Sequence, residues 1–151
     1  MKLKQLGFAI ALLCATSAVS AVEIVGMPVK LGTTVEEVQK ALNTTMEPEE
    51  MNSAIPSSVK KTQLRLKTKG IWVFFEKGKT NTIRIDPPFS GSVGGIKLGD
   101  PSAKITKTLG NPIKEAKFGL STTYTYYFDD VTTTKFVVNT DDEVETVFFT
   151  K

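Results

Sequence analysis

The chain has 151 residues, with 19 Lys and Arg against 16 Asp and Glu, a single cysteine and no histidine. Because Cys14 falls within an N-terminal leader, the mature protein lacks the commonest general base, the thiol nucleophile and the usual zinc and copper ligands. Lys2 and Lys4 are two of the 19 basic residues, so removing the leader leaves 17 against 16, a near-neutral surface without the clustered cations that nucleic acid requires.

Residues 1–21 read as a signal peptide: a positive start at Lys2 and Lys4, an apolar stretch from Gly7 to Ala15, and the small-residue cleavage site Val19-Ser20-Ala21. Cleavage near Ala21 predicts a periplasmic or secreted protein. Leu13 before Cys14 argues against lipidation, and no later stretch approaches the about 20 apolar residues of a membrane span. With no cysteine after the leader, a disulfide framework is excluded.

Beyond the leader the chain repeats itself. Val29-Lys30-Leu31-Gly32 returns as Ile96-Lys97-Leu98-Gly99, Val38 to Leu42 matches Ile105 to Leu109, and Gly78 to Ile85 overlies Asp142 to Phe149. This divides the chain into a first unit over 22–86, a linker over 87–95 and a second unit over 96–151. Thr33 with Glu36 predicts a capping box that opens a helix with Val35, Val38 and Leu42 as its buried stripe. A second short helix is expected from Pro48 to about Ala54, stopped by Pro56. Three strands follow, over 62–67, 71–76 and 80–85.

Asp86-Pro87-Pro88 and the glycine-rich run from Ser90 to Gly95 read as a connector. In the second unit Asp100-Pro101 predicts an N-cap for a helix over Ser102 to Leu109, ended by Gly110-Asn111-Pro112. Strands over 122–128, 135–139 and 144–150 complete it. The expected fold is therefore α+β: two tandem repeats of a helix plus a three-stranded antiparallel meander, packed together. A unit of about 60 residues alone buries too little surface to be stable, hence the expected packing.

Core positions should be apolar in both units. On that criterion Leu64, Leu66, Trp72, Phe74, Ile83 and Ile85 point inward, with Tyr126, Phe128, Phe136, Val138, Val147 and Phe149 as counterparts. The opposite face then carries Arg65, Val73, Phe75, Arg84, Tyr127 and Phe148. Arg and aromatic side chains together on an exposed sheet face mark a contact surface for a protein partner, and these six are the predicted binding residues.

Other chemistry is poorly supported. Asp129-Asp130 and Asp141-Asp142-Glu143 lack the alternating ligands and fixed glycine of a calcium loop and read as hairpin turns. Ser90-Gly91-Ser92 is not a nucleophile elbow, the glycines from 91 to 99 lack the Gly-Lys-Ser/Thr of a phosphate loop, and Ser57 and Ser58 beside Lys60 and Lys61 read as surface loop. No catalytic residue, metal or cofactor is expected.

Two copies of Lys-Leu-Gly, each before a short capped helix and three strands, with Leu109-Gly110-Asn111-Pro112 ending the second helix, resemble the tandem modules of the β-lactamase inhibitory protein family. A single module also resembles the SmpA/OmlA small lipoproteins of outer-membrane barrel assembly. The first resemblance implies a concave sheet surface that grips an enzyme; the second implies a component of an envelope assembly. The expected function is an exported, non-catalytic protein-binding module, an inhibitor or immunity-type protein facing a hydrolase or toxin. An envelope scaffold and a small-ligand or cell-wall binder are the alternatives.

Overall fold

The computed structural model describes residues 23–52 and 59–151. The leader, the end of the helix expected after Pro48, and Ser57 and Ser58 lie outside the described residues. In chain order the elements are β1 (Ile24–Val25), α1 (Val35–Leu42), β2 (Glu49–Glu50), β3 (Lys61–Leu66), a 3-10 turn (Lys67–Lys69), β4 (Ile71–Glu76), β5 (Lys79–Ile85), β6 (Ser92–Val93), α2 (Ser102–Leu109), β7 (Lys114–Phe118), β8 (Ser121–Tyr127), β9 (Thr133–Val138) and β10 (Val144–Thr150).

Eight of the strands form one antiparallel sheet in the order β2-β3-β4-β5-β10-β9-β8-β7, while β1 and β6 make a separate two-stranded ribbon. This corrects the expected architecture. The chain is mostly one large antiparallel sheet with two short helices, not two packed helix-plus-three-strand repeats. The reason lies at the seam: β5 pairs with β10, placing Ile85 opposite Val147 and Ile83 opposite Phe149, so the ladder runs on without a break. Glu49 and Glu50, expected to be helical, instead pair with Gln63 and Thr62.

Both helices contribute to the core on one face of the sheet. Val38 and Leu42 from α1 and Ile105 from α2 join Leu64, Val73, Ile83, Phe136 and Phe149 in a single buried cluster. α1 is capped one residue later than expected: the Thr34 hydroxyl accepts from the Glu37 N–H at 3.4 Å, and the Glu37 carboxylate accepts from the Thr34 N–H at 2.8 Å. Two ties pin the helix ends, from the Lys69 ammonium to the Leu42 carbonyl and from the Tyr126 hydroxyl to the Gly110 carbonyl at 3.0 Å. Burial, with Tyr124 beside it, raises the Tyr126 phenol above its ordinary value.

The segment read as a connector is built into this core. Phe89 and Val93 are buried, and β6 pairs with β1. Gly70, at φ +63, lets the chain after β5 pass close by: a Cβ there would stand 2.0 Å from the Asp86 carbonyl oxygen.

Candidate functional site

Strand pairing assigns each side chain to a face, because residues directly opposite one another point the same way. Leu66, Ile71, Ile85, Val147 and Phe136 form one row across the inner face, and Leu64, Val73, Ile83, Phe149 and Thr134 form another. Between them, on the outer face, runs the row Arg65, Trp72, Arg84, Phe148, Lys135, Thr125 and Lys114, from β3 to β7. A second outer row runs Gln63, Phe74, Thr82, Thr150, Thr133 and Tyr127.

Four of the six predicted binding residues, Arg65, Arg84, Tyr127 and Phe148, therefore lie on the outer face. Val73 and Phe75 do not: they are 0% and 2% exposed and belong to the core. Trp72 and Phe74, assigned inward, take their places outside. The cause is the composition of β4, Ile-Trp-Val-Phe-Phe-Glu, which is apolar on both faces and so carries no alternation signal. The offset between the units also changes at the hairpin that follows: two residues, Lys77 and Gly78, separate the paired Glu76 and Lys79, whereas three, Thr140 to Asp142, separate Asn139 from Glu143, so Trp72 does not correspond to Phe136.

The outer row is ordered by stacking. The Arg65 guanidinium carbon sits 4.1 Å from the Trp72 ring centroid and that of Arg84 4.8 Å, so the indole is flanked by two cations. Arg84 also lies 5.5 Å from the Phe148 ring, across the seam. Asp86 fixes it there: Arg84 Nε donates to Oδ1 at 3.0 Å and stands 2.9 Å from Oδ2, while the Thr146 hydroxyl donates to Oδ1 at 2.7 Å. Arg65 differs. Its Nε is buried and has no hydrogen-bond acceptor.

Two hollows flank this row. One of about 410 Å³ opens beside Arg65, between Met46, Gln63, Leu66 and Thr68. The other, of about 240 Å³, lies among Met51, Phe74, Thr82 and Phe148. Toward the far edge of the sheet the same face carries Tyr127, 65% exposed, and Phe118, 88% exposed. Sequence reasoning missed Phe118, since Lys114–Phe118 has no apolar alternation to announce a strand; the signal available was Gly119, whose φ of +61 suits the first position of a tight two-residue hairpin turn.

The acidic clusters are turn-formers, as read from the sequence. Asp129 Oδ1 accepts from the Val131 and Thr132 N–H groups at 2.8 and 2.6 Å, and these bonds hold its carboxyl below the usual range. Asn139 Oδ1 similarly accepts from the N–H groups of Asp141 and Glu143.

No family model matches the chain, and no curated protein matches it. Two solved structures align with the chain. An extracellular protein containing an SCP domain from Bacillus anthracis aligns with TM-score 0.55 and 11% identity over 100% of this chain, which spans 49% of that protein. A DUF4309 family protein (YjgB) from Bacillus subtilis aligns with TM-score 0.49 and 17% identity over 78% of each chain. Among the described residues, no helix is long and apolar enough to cross a membrane.

Proposed function

We propose that this protein is an exported, non-catalytic binding module, of the inhibitor or immunity type, that occludes a protein partner with the outer face of its sheet. The observation that carries the reading is the face itself. Trp72, Phe74, Arg84, Phe148 and Tyr127 lie on one side of a continuous sheet whose helices and core are on the other. Trp, Tyr and Arg are the side chains that dominate binding hot spots, and a central cluster rimmed by polar groups is the usual anatomy of an interface. From Phe74 to Tyr127 the surface crosses four strand steps, about 19 Å at about 4.8 Å each, a span suited to a standard-sized interface. Export is supported by the leader pattern in the sequence, and the Bacillus anthracis protein of similar fold is described as extracellular.

The test uses the mature chain as bait in an extract of its own cell envelope, followed by calorimetry with the recovered protein once purified. A Phe74→Ala, Tyr127→Ala double variant is expected to lose binding while keeping the circular dichroism spectrum. Binding that survives the double variant would move the interface off this face. Recovery of a multisubunit outer-membrane complex in place of a single hydrolase or toxin would make the protein a scaffold component.

A further inference from the structure

The outer row holds four cations, Arg65, Arg84, Lys135 and Lys114, and no carboxylate. Of these four, only Arg84 has an ion pair among the described residues, with Asp86. Asp86 therefore neutralises the middle of the row and leaves its two ends charged. At one end Arg65 stacks on Trp72 with its buried Nε lacking an acceptor, an arrangement that costs stability unless something completes it. A carboxylate fits an Arg fork in two parallel bonds, and the hollow beside Arg65 gives one a way in.

We propose that the partner of this face is an acidic protein surface, and that Arg65 receives one of its carboxylates while Lys135 and Lys114 meet others along the row. The inference rests on the sheet face being the binding surface, and adds the chemistry of what it binds. A protein carboxylate is favoured over a long polyanion because the charge becomes mixed beyond Arg65, where Lys67 shares the hollow with Glu47 and Glu49. Glu47 and Glu49 stand on the β2 side of the hollow, Glu47 near the Gln39 amide at 3.5 Å, and their repulsion weighs more on a continuous chain of phosphates or sulfates that must run past both than on a single carboxylate that stops at the Arg65 fork. Phe74 and Phe148, which line the hollow on the other side of the row, supply the apolar contact that a protein side chain uses and a polyphosphate does not.

Trp72 is the only tryptophan in the chain, so its fluorescence reports on this site directly. The full mature chain is titrated with an oligo-glutamate peptide, a matched oligo-glutamine peptide and a heparin oligosaccharide. A saturable change in Trp72 emission is expected with oligo-glutamate and none with oligo-glutamine. Arg65→Gln should weaken the response about tenfold, the cost of losing one charge-assisted hydrogen bond. Arg65→Lys, which keeps the charge without the fork, should fall between, and Lys40→Gln on α1 should change nothing. Raising salt from about 50 to about 300 mM should weaken binding further, as screening requires.

No response to oligo-glutamate, an undiminished response in both Arg65 variants, or tighter binding of heparin would each overturn the proposal. If the captured partner binds Arg65→Gln as well as the native chain yet fails to bind the Phe74→Ala, Tyr127→Ala variant, the sheet face stands as the interface and only its acidic partner falls.

Discussion

Phe74 and Phe75 are neighbours with opposite roles, and the contrast between them is where the reading of the faces can be checked. Phe75 is almost fully enclosed in the core, whereas Phe74 lines the outer hollow with Met51 and Phe148. Phe75→Ala should cost about 3–5 kcal/mol through lost burial and the cavity left behind. Phe74→Ala should cost about 1 kcal/mol, typical of a partly exposed position. Urea unfolding of the two variants distinguishes them; equal losses would mean that β4 does not divide its side chains between two environments. This is also the scale at which the sequence was least legible. Ile83, Ile85, Val147 and Phe149 alternate with polar or charged neighbours or match between the units, and their inward direction follows from that pattern. Residues 71–75 are five consecutive apolar side chains, and periodicity has nothing to say about them. Arg65 and Arg84 could be placed outside with certainty of charge alone, but nothing in the sequence shows that one is paired and the other is not.

At the scale of elements the sequence speaks more clearly, because capping residues and proline mark ends that do not depend on tertiary context. The span of α2 and the bounds of β4 and β10 emerge as expected, and α1 is shifted only in its cap, Thr34 instead of Thr33. Asp100, expected to cap α2, acts differently. Its carboxylate accepts from the Lys97 N–H and the Lys104 ammonium, both at 2.7 Å, while its carbonyl accepts from the Val144 N–H at 2.9 Å, so the residue fastens the helix entrance to the start of β10. Burial pushes the Asp100 carboxyl up, but the bonds from Lys104 and Lys97 outweigh it and its pKa lies below the ordinary value. A lowered folded pKa means stability that is fully present above the unfolded value of about 3.9 and is lost as pH falls through the folded one. Asp100→Asn should therefore be less stable than the native chain at pH 7, and the difference should shrink below about pH 4. Melting temperatures of both proteins across that range provide the check; a pH-independent gap would show that the carboxylate's charge is not what matters. Elements that escaped detection share one property. β1, β2 and β6 are two residues long, and β7 is a largely polar edge strand exposed on both faces, so each owes its conformation to a partner strand and not to its own pattern.

At the scale of the whole molecule, the seam between β5 and β10 decides how the protein unfolds. Two repeats packed as separate bodies would share only a face, and each could lose its structure while the other kept it. Here the halves share backbone hydrogen bonds along Ile85–Val147, Arg84–Phe148, Ile83–Phe149 and Thr82–Thr150. Side chains bridge the same line: Thr146 to Asp86 at 2.7 Å, and Arg84 over Phe148. Phe89 and Val93, from the segment joining the halves, are enclosed in the same core as both helices. Neither half can leave without exposing an edge strand and apolar surface of the other, so opening is coupled across the sheet. Calorimetry of residues 22–151 should show one transition with the measured enthalpy equal to the van 't Hoff enthalpy. Residues 22–86 and 96–151 expressed separately should show no cooperative melt, because a unit of about 60 residues lacking its partner buries too little to offset its chain entropy. Two resolved transitions, or a fragment that melts sharply alone, would mean that each half carries its own core and that the seam adds little. The functional consequence follows from the same coupling. The proposed binding face runs unbroken from Arg65 to Lys114 and crosses the seam, so its geometry survives only while β5 and β10 stay paired, and a substitution there such as Val147→Asp should remove any partner binding and the fold in one step.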